Sequence, residues 1–413
     1  MATRSSRLLN LGLHFTNLGT RFLFIFFLAK FLDPASVGYY GIFAATVGYC
    51  IYFVGLDFYT YVTREILKVP PEQRGRLLKS QLALTGVLYL VFVPFALAIL
   101  SKVSWPNHLL LWFFPILVFE HINQEISRLL IALSEQLAAT LVLFVRQGSW
   151  ALAAVGLMTL EPETRNLDAV MKLWACAGLI ASMFGYLKLR ELKISGWKQP
   201  IDWPWIKKGL AVSTAFLIAT LALRGIQTFD RYWLEVLVGI ETVAAYVLLL
   251  GIASTLLVFL DAGIFSFTYP TLIRLNQEKQ YDAARIKIRS MLYQTLLLSA
   301  GFGLTSWQLL PYFIRWIDNP VYSNELHLYP WLLLATALNA LSMVPHFALY
   351  ARGEDNPIIF SHLLGLLSFL LSTWILSKSY PALAVPLGLG FAFLVILFCK
   401  TSAYIWLDKK YHN

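Results

Sequence analysis

LLNLGLHFTNLGTRFLFIFFLAKF, residues Leu8 to Phe31, decides the class of fold. At a rise of about 1.5 Å per residue it is long enough to cross the hydrocarbon of a bilayer as a helix. It is apolar except along one line. Asn10, His14, Asn17 and Arg21 are separated by four, three and four positions, which stacks them on one helical face while Leu, Phe and Ile cover the rest. An arginine midway along a spanning helix costs a few kcal/mol to insert, so it faces a watery cavity or an anionic partner. Such a stripe either lines a passage or satisfies itself inside a packed bundle. Its recurrence elsewhere in the chain bears on the choice.

The composition agrees with a membrane class. The chain is 58% hydrophobic and 14% charged, with a mean hydropathy of +0.65. Soluble domains average roughly 25% charged residues. A net charge of +10 would suggest nucleic acid in a soluble protein, but most of it is absorbed by the basic bias that orients membrane helices, and no nucleic-acid partner is expected. Cys50, Cys176 and Cys399 sit singly in apolar runs, forming neither a disulfide framework nor a metal site, and read as small hydrophobic residues. The first span is too long for a signal-peptide core and lacks a small-residue cleavage site after it, so it is expected to be permanent.

The remaining apolar runs bring the total to about twelve spans, as expected for an all-α integral membrane fold. They lie near 8–31, 39–63, 80–101, 109–133, 137–160, 170–188, 210–234, 243–268, 290–314, 330–351, 357–377 and 383–406. Basic residues gather in alternate connections: Arg64, Lys68, Arg74, Arg76 and Lys79 in the second, Lys188 to Lys208 in the sixth, Arg274 to Arg289 in the eighth. The intervening connections carry Lys102, Arg165 or Lys378. This alternation predicts a multi-pass protein with both termini in the cytoplasm. The sixth connection, KLRELKISGWKQPIDWPWIKKG from Lys188 to Gly209, lies near the midpoint. Its tryptophans among lysines suit either a segment at the headgroup level or a plain basic linker. The domain reading is two six-helix lobes, 1–190 and 210–413, with a basic linker at 191–209. Val37-Gly38-Tyr39-Tyr40 and Val243-Ala244-Ala245-Tyr246 occupy matching places in the two halves. Halves of six spans each share one orientation, with a substrate site expected between them.

The polar stripe of the first span returns in the seventh, where Ser213, Thr220, Arg224, Gln227 and Arg231 share a helical face. The fourth span offers Glu120, Gln124 and Arg128 on one face with Asn123, Glu125 and Ser127 beside them. The fifth has Arg146 and Gln147 near its centre, and the tenth has Asn339, Ser342, His346 and Tyr350. Glu125 can neutralise Arg128, and Asp230 a neighbouring arginine. Arg21, Arg146 and Arg224 have no acid three or four positions away. Glu120, Asp57 and Asp261 are candidate partners from other helices, but the favoured reading is a cavity with surplus positive charge. Guanidinium groups bind phosphate through paired hydrogen bonds and stay charged, so several at mid-depth suit a pyrophosphate better than an organic cation. Asn, Gln, Ser, Thr and Tyr suit sugar hydroxyls. The external connections are short, and neither a phosphate-binding glycine loop, an acidic metal-binding pair nor a Ser/His/Asp grouping in usable order is present, which points away from an enzyme.

The run GLDFYTYVTREI, Gly55 to Ile66, resembles the second-span signature of bacterial polysaccharide flippases of the multidrug/oligosaccharidyl-lipid/polysaccharide exporter superfamily. The segment before it is similar as well: an arginine in the first span, a short loop from Leu32 to Gly38, then Tyr39-Tyr40-Gly41-Ile42-Phe43. The resemblance covers about the first 70 residues. It implies a V-shaped bundle of two lobes around a central cavity, in the bacterial inner membrane. The implied activity is transfer of an undecaprenyl-pyrophosphate-linked oligosaccharide to the periplasmic leaflet by alternating access, for O-antigen, capsule or exopolysaccharide synthesis. A polymerase and a chain-length regulator of that pathway are the implied protein partners, and membrane lipid surrounds the bundle. By position the resemblance implicates Arg21, Asp57, Tyr59 and Arg64.

The expected substrate-binding residues are therefore His14, Asn17, Arg21, Arg64, Arg128, Arg146, Arg224 and Gln227, although Arg64 equally suits snorkelling to headgroups. Asp57, Glu120, Asp230 and Asp261 are the candidates for coupling to H+ or Na+. No cofactor is expected. Two alternatives stand beside this reading: a cation-coupled drug or organic-cation antiporter of the same superfamily, which would depend on acids, and a polysaccharide polymerase or ligase.

Overall fold

The computed structural model describes the backbone of residues 4–103 and 105–410; the side chains of residues 4–8, 11, 14, 21, 215 and 410 lie outside the described residues, His14 and Arg21 among them. The helices in chain order are α1 (Arg4–Phe31), α2 (Pro34–Gly55), α3 (Tyr59–Glu65), α4 (Pro71–Leu100), α5 (Asn107–Ala132), α6 (Gln136–Phe144), α7 (Trp150–Leu160) and α8 (Leu167–Glu191). They continue with α9 (Trp203–Val238), α10 (Ile240–Leu260), α11 (Ser266–Gln277), α12 (Tyr281–Ile317), α13 (Pro320–Asn324), α14 (Tyr329–Ala351), α15 (Asp355–Leu376) and α16 (Pro381–Lys410). Single π-helical turns, Val145–Ser149 and Asp261–Phe265, join α6 to α7 and α10 to α11. No strand occurs among the described residues.

Local chemistry sets the boundaries. Pro34, Pro71, Pro320 and Pro381 open helices at the position where a missing N–H is harmless. Asn166 and Asn319 accept backbone N–H bonds from Ala169 and Val321, capping α8 and α13. Asp318 in the left-handed region ends α12. The run 39–63 is not one helix as anticipated. Leu56 and Asp57 both adopt positive φ, at 47° and 51°, which stops α2 and starts α3.

Nine helical stretches among the described residues are long and apolar enough to cross a membrane, or ten with Trp203–Val238. One of the twelve anticipated runs, α12, forms a long helix but does not meet that measure, while α1 is described only in part. Polar residues dilute α12: Gln294, Thr295, Ser299, Thr305, Ser306 and Gln308.

The chain divides into two compact units. The first comprises residues 1–32 and 43–217, the second residues 33–42 and 218–413. In the first, the aromatic side chains of Phe43, Trp105, Phe113, Trp150 and Trp174 form a dry cluster, with Trp150 stacked on Trp174 at 5.2 Å. The sixth connection is bound down within this unit: Gly75 N–H donates to the Ser195 carbonyl, Lys79 to that of Gln199, and Arg76 pairs with Asp202 at 2.9 Å. Trp205 packs on Phe58 and Tyr61, and only a glycine at 209 fits beneath those two rings. Trp197 and Trp203 remain exposed.

In the second unit α16 packs along α14 and α15, and Tyr246, Tyr322, Tyr329 and Phe369 are fully buried. The start of α2 belongs here because Gly38 admits the Ile240 carbonyl at a distance no Cβ would tolerate.

Candidate functional site

The polar interior of the first unit is built on α5, whose apolar face is seated by Leu109, Phe113, Ile116 and Leu117. That seating turns Glu120, His121, Gln124, Glu125 and Arg128 toward neighbouring helices. Arg128 donates to Glu125 at 2.9 Å and lies flat on the Tyr59 ring, 3.3 Å from its centroid. Gln81 on α4 donates to the other Glu125 oxygen at 2.7 Å. One turn away the Tyr89 hydroxyl meets His121 Nδ1 at 3.2 Å, while Nε2 is buried beside Gly55. Asp57, 6% exposed, enters from the α2–α3 break and is electrostatically coupled to both Glu125 and Tyr59. Two consecutive positive-φ residues that are not glycine hold it there, a strain of about 1–3 kcal/mol each of the kind found at functional positions.

A second cluster lies on the next face of α5. Arg146, on the π turn, is 6% exposed. Its Nε lies 3.5 Å from Glu120 Oε2 and its Nη1 donates to the Glu120 carbonyl at 3.2 Å. Trp174 Nε1 donates to Glu120 Oε1 at 2.8 Å, and Trp150 Nε1 to the Arg146 carbonyl. The wide π turn is what brings Arg146 to Glu120; such turns recur at functional places in helices. Asn17 is buried with Oδ1 against Gly148 of the same turn.

This geometry gives acid partners to two of the arginines from which a surplus of positive charge is expected. Arg146, read as having no acid within its helix, is matched by Glu120, and Arg128 by Glu125. Asp57 adds a carboxylate close to Glu125 and Tyr59. Arg64 is exposed at the end of α3. The side chains of His14 and Arg21 lie outside the described residues.

The second unit places its predicted residues apart. Arg224 is exposed and donates to Gln227 Oε1 at 3.2 Å. Asp230 is fully buried between Arg231 at 3.0 Å and the Tyr246 hydroxyl at 2.5 Å, and Arg231 also reaches the Gln227 carbonyl. Asp261 opens the second π turn and is exposed. Sequence reading missed Gln81, Tyr89 and Trp174. Their partners lie on other helices, and no spacing within one helix signals them. Among the described residues no group of three or more His, Cys, Asp or Glu side chains is placed to hold a metal ion.

Fold and interior together define a multi-pass helical membrane protein with polar, charge-paired helices inside its first unit. Its fold is that of the multidrug and toxic compound (MATE) transporters of the MOP superfamily. It superposes on a multidrug resistance MATE family transporter in an inward-facing conformation with a TM-score of 0.80 at 12% identity, over 96% of this chain and 95% of that one. The Vibrio cholerae MATE transporter VcmN in its bent form matches with a TM-score of 0.61 at 14% identity, over 99% of both chains. An outward-facing multidrug resistance MATE family transporter gives 0.60 at 11% identity, over 96% and 94%. No protein-family model and no curated protein matches the sequence.

Proposed function

We propose that the chain is a secondary transporter that exports an organic cation in exchange for a coupling cation by alternating access. The observation that carries the reading is that the arginines described around α5 are held by buried carboxylates. Arg128 pairs with Glu125 and Arg146 with Glu120, so neither guanidinium is left over for a diphosphate, while Glu125 and Asp57 offer carboxylates to a cation. The MATE-type fold over nearly the whole chain supports the same mechanism class. Asp57 and Glu125 exchange the coupling cation, with Tyr59 and Arg128 holding them in place. The test is ethidium efflux from a pump-deficient bacterial host expressing the chain. Wild type should lower cellular ethidium, and Glu125→Gln should remove the effect while the protein stays in the membrane; equal efflux from the variant overturns the reading.

A second reading is favoured by one sequence observation, the GLDFYTYVTREI signature. Under it the chain is a flippase for an undecaprenyl-pyrophosphate-linked oligosaccharide in the bacterial inner membrane, with both termini in the cytoplasm. The exposed Arg64 and Arg224 would contact the pyrophosphate, assisted by Gln227 and Asn17. A deletion strain separates the two. Loss of surface polysaccharide with accumulation of lipid-linked units supports the flippase, and drug sensitivity with normal polysaccharide supports the antiporter.

A further inference from the structure

The second unit contains a cluster that neither reading uses. Lys400 lies well inside α16, 2% exposed, and among the described residues no hydrogen bond or ion pair reaches its ammonium. Two histidines face it, His346 from α14 and His362 from α15, with their rings parallel and 6.3 Å apart. His362 is 7% exposed, and Nδ1 of both histidines is buried without a hydrogen-bond partner. His362 donates to the Ala219 carbonyl on α9, so its Nδ1 carries the lone pair. His346 also stacks on Tyr350. The carboxylate on α16, Asp408, lies two turns further along and is held by Arg285 at 2.9 Å and Arg352 at 2.6 Å. The remaining element against α16 is the short turn 325–328, where Glu325 meets Thr242 and His327.

Three basic groups from three helices thus converge with no facing carboxylate among the described residues. A charged ammonium in such surroundings is costly, and an ionisable group at membrane depth is retained for work rather than stability. A proton, unlike a larger ion, needs no open cavity to reach Lys400, which is 2% exposed. We propose that Lys400, His346 and His362 form a proton-exchange site in the second unit. When water reaches the cluster, Lys400 Nζ takes a proton from hydronium; when the cluster closes, the proton passes to a histidine Nδ1 and from there to water. No bond other than N–H forms or breaks. The proposal rests on the transport reading and adds that the coupling ion is H+, carried by bases.

The test uses the full chain in proteoliposomes on a solid-supported membrane, with an acid pulse as the probe and no cargo. Wild type should give a transient charge displacement. Lys400→Met should reduce it about tenfold, as should Lys400→Arg, whose guanidinium does not release its proton. His362→Gln should reduce it about twofold, since His346 remains. Size-exclusion profiles identify variants that fold. An undiminished displacement in folded Lys400→Met overturns the proposal, as does its absence from wild type. If the lysine variants fail to fold, the histidine variants decide, and wild-type displacement in both His346→Gln and His362→Gln overturns it. Ethidium efflux measured in parallel separates the two claims. Efflux that persists in Lys400→Met with full displacement refutes the proton site alone, and a lost displacement without any wild-type efflux supports the site and refutes the cargo.

Discussion

The two units treat buried charge in opposite ways. In the first, two guanidinium groups rest on carboxylates of α5: Arg128 on Glu125 and Arg146 on Glu120. In the second, Asp230 is locked to Arg231 and Tyr246, while Lys400 sits among histidines with no acid facing it. A matched pair tolerates burial only while both partners stay, so it fixes a structure. An unmatched base tolerates burial by giving up its proton, so it is suited to change state. The first unit therefore reads as scaffold held by matched charge pairs, the second as the place where ionisation can alternate.

Substitutions that break or sharpen this contrast rank by size. Glu120→Ala strands Arg146 in the interior and should destabilise the protein by about 3–5 kcal/mol, read as earlier thermal unfolding in detergent. Adding Arg146→Met should recover most of the loss, and a double variant as unstable as the single one would show that the pair is not the reason. Gly209→Ala drives a methyl into Phe58 and Tyr61 and should cost about 2 kcal/mol, again seen by thermal unfolding, with no effect on the second unit's proton response. Lys400→Met runs the other way: replacing a lone buried base with an apolar chain should stabilise by about 1 kcal/mol. A loss there would mean that Lys400 has a structural partner after all. Arg64→Ala, at an exposed helix end, should stay within about 0.5 kcal/mol, so any loss of transport in that variant reports cargo contact.

Much of the fold was legible because bilayer thickness and helical period constrain long apolar runs tightly. All twelve anticipated runs are helical, and the polar faces on 120–128 and at Arg146 do lie inside the first unit. What could not be read is which helix each face meets. Arg146 has no acid in its own helix, and its partner Glu120 is 26 residues away; a period of 3.6 says nothing about such a distance. The break at Leu56–Asp57 was hidden because neither residue is glycine, so its positive φ leaves no mark in composition. Lys400 was missed for a related reason. A lone lysine on an apolar helix ordinarily snorkels to the headgroups, and only the packing of α14 and α15 shows that this one does not.

The short segment Asp33–Ile42 joins the second unit although the residues on both sides of it belong to the first. The polypeptide therefore passes between the units three times, after Leu32, after Ile42 and after Leu217. No single cut yields two self-sufficient fragments. A split at the basic connection would leave one fragment holding ten residues that complete the other, so co-expressed pieces should reassemble only when that stretch is supplied to both.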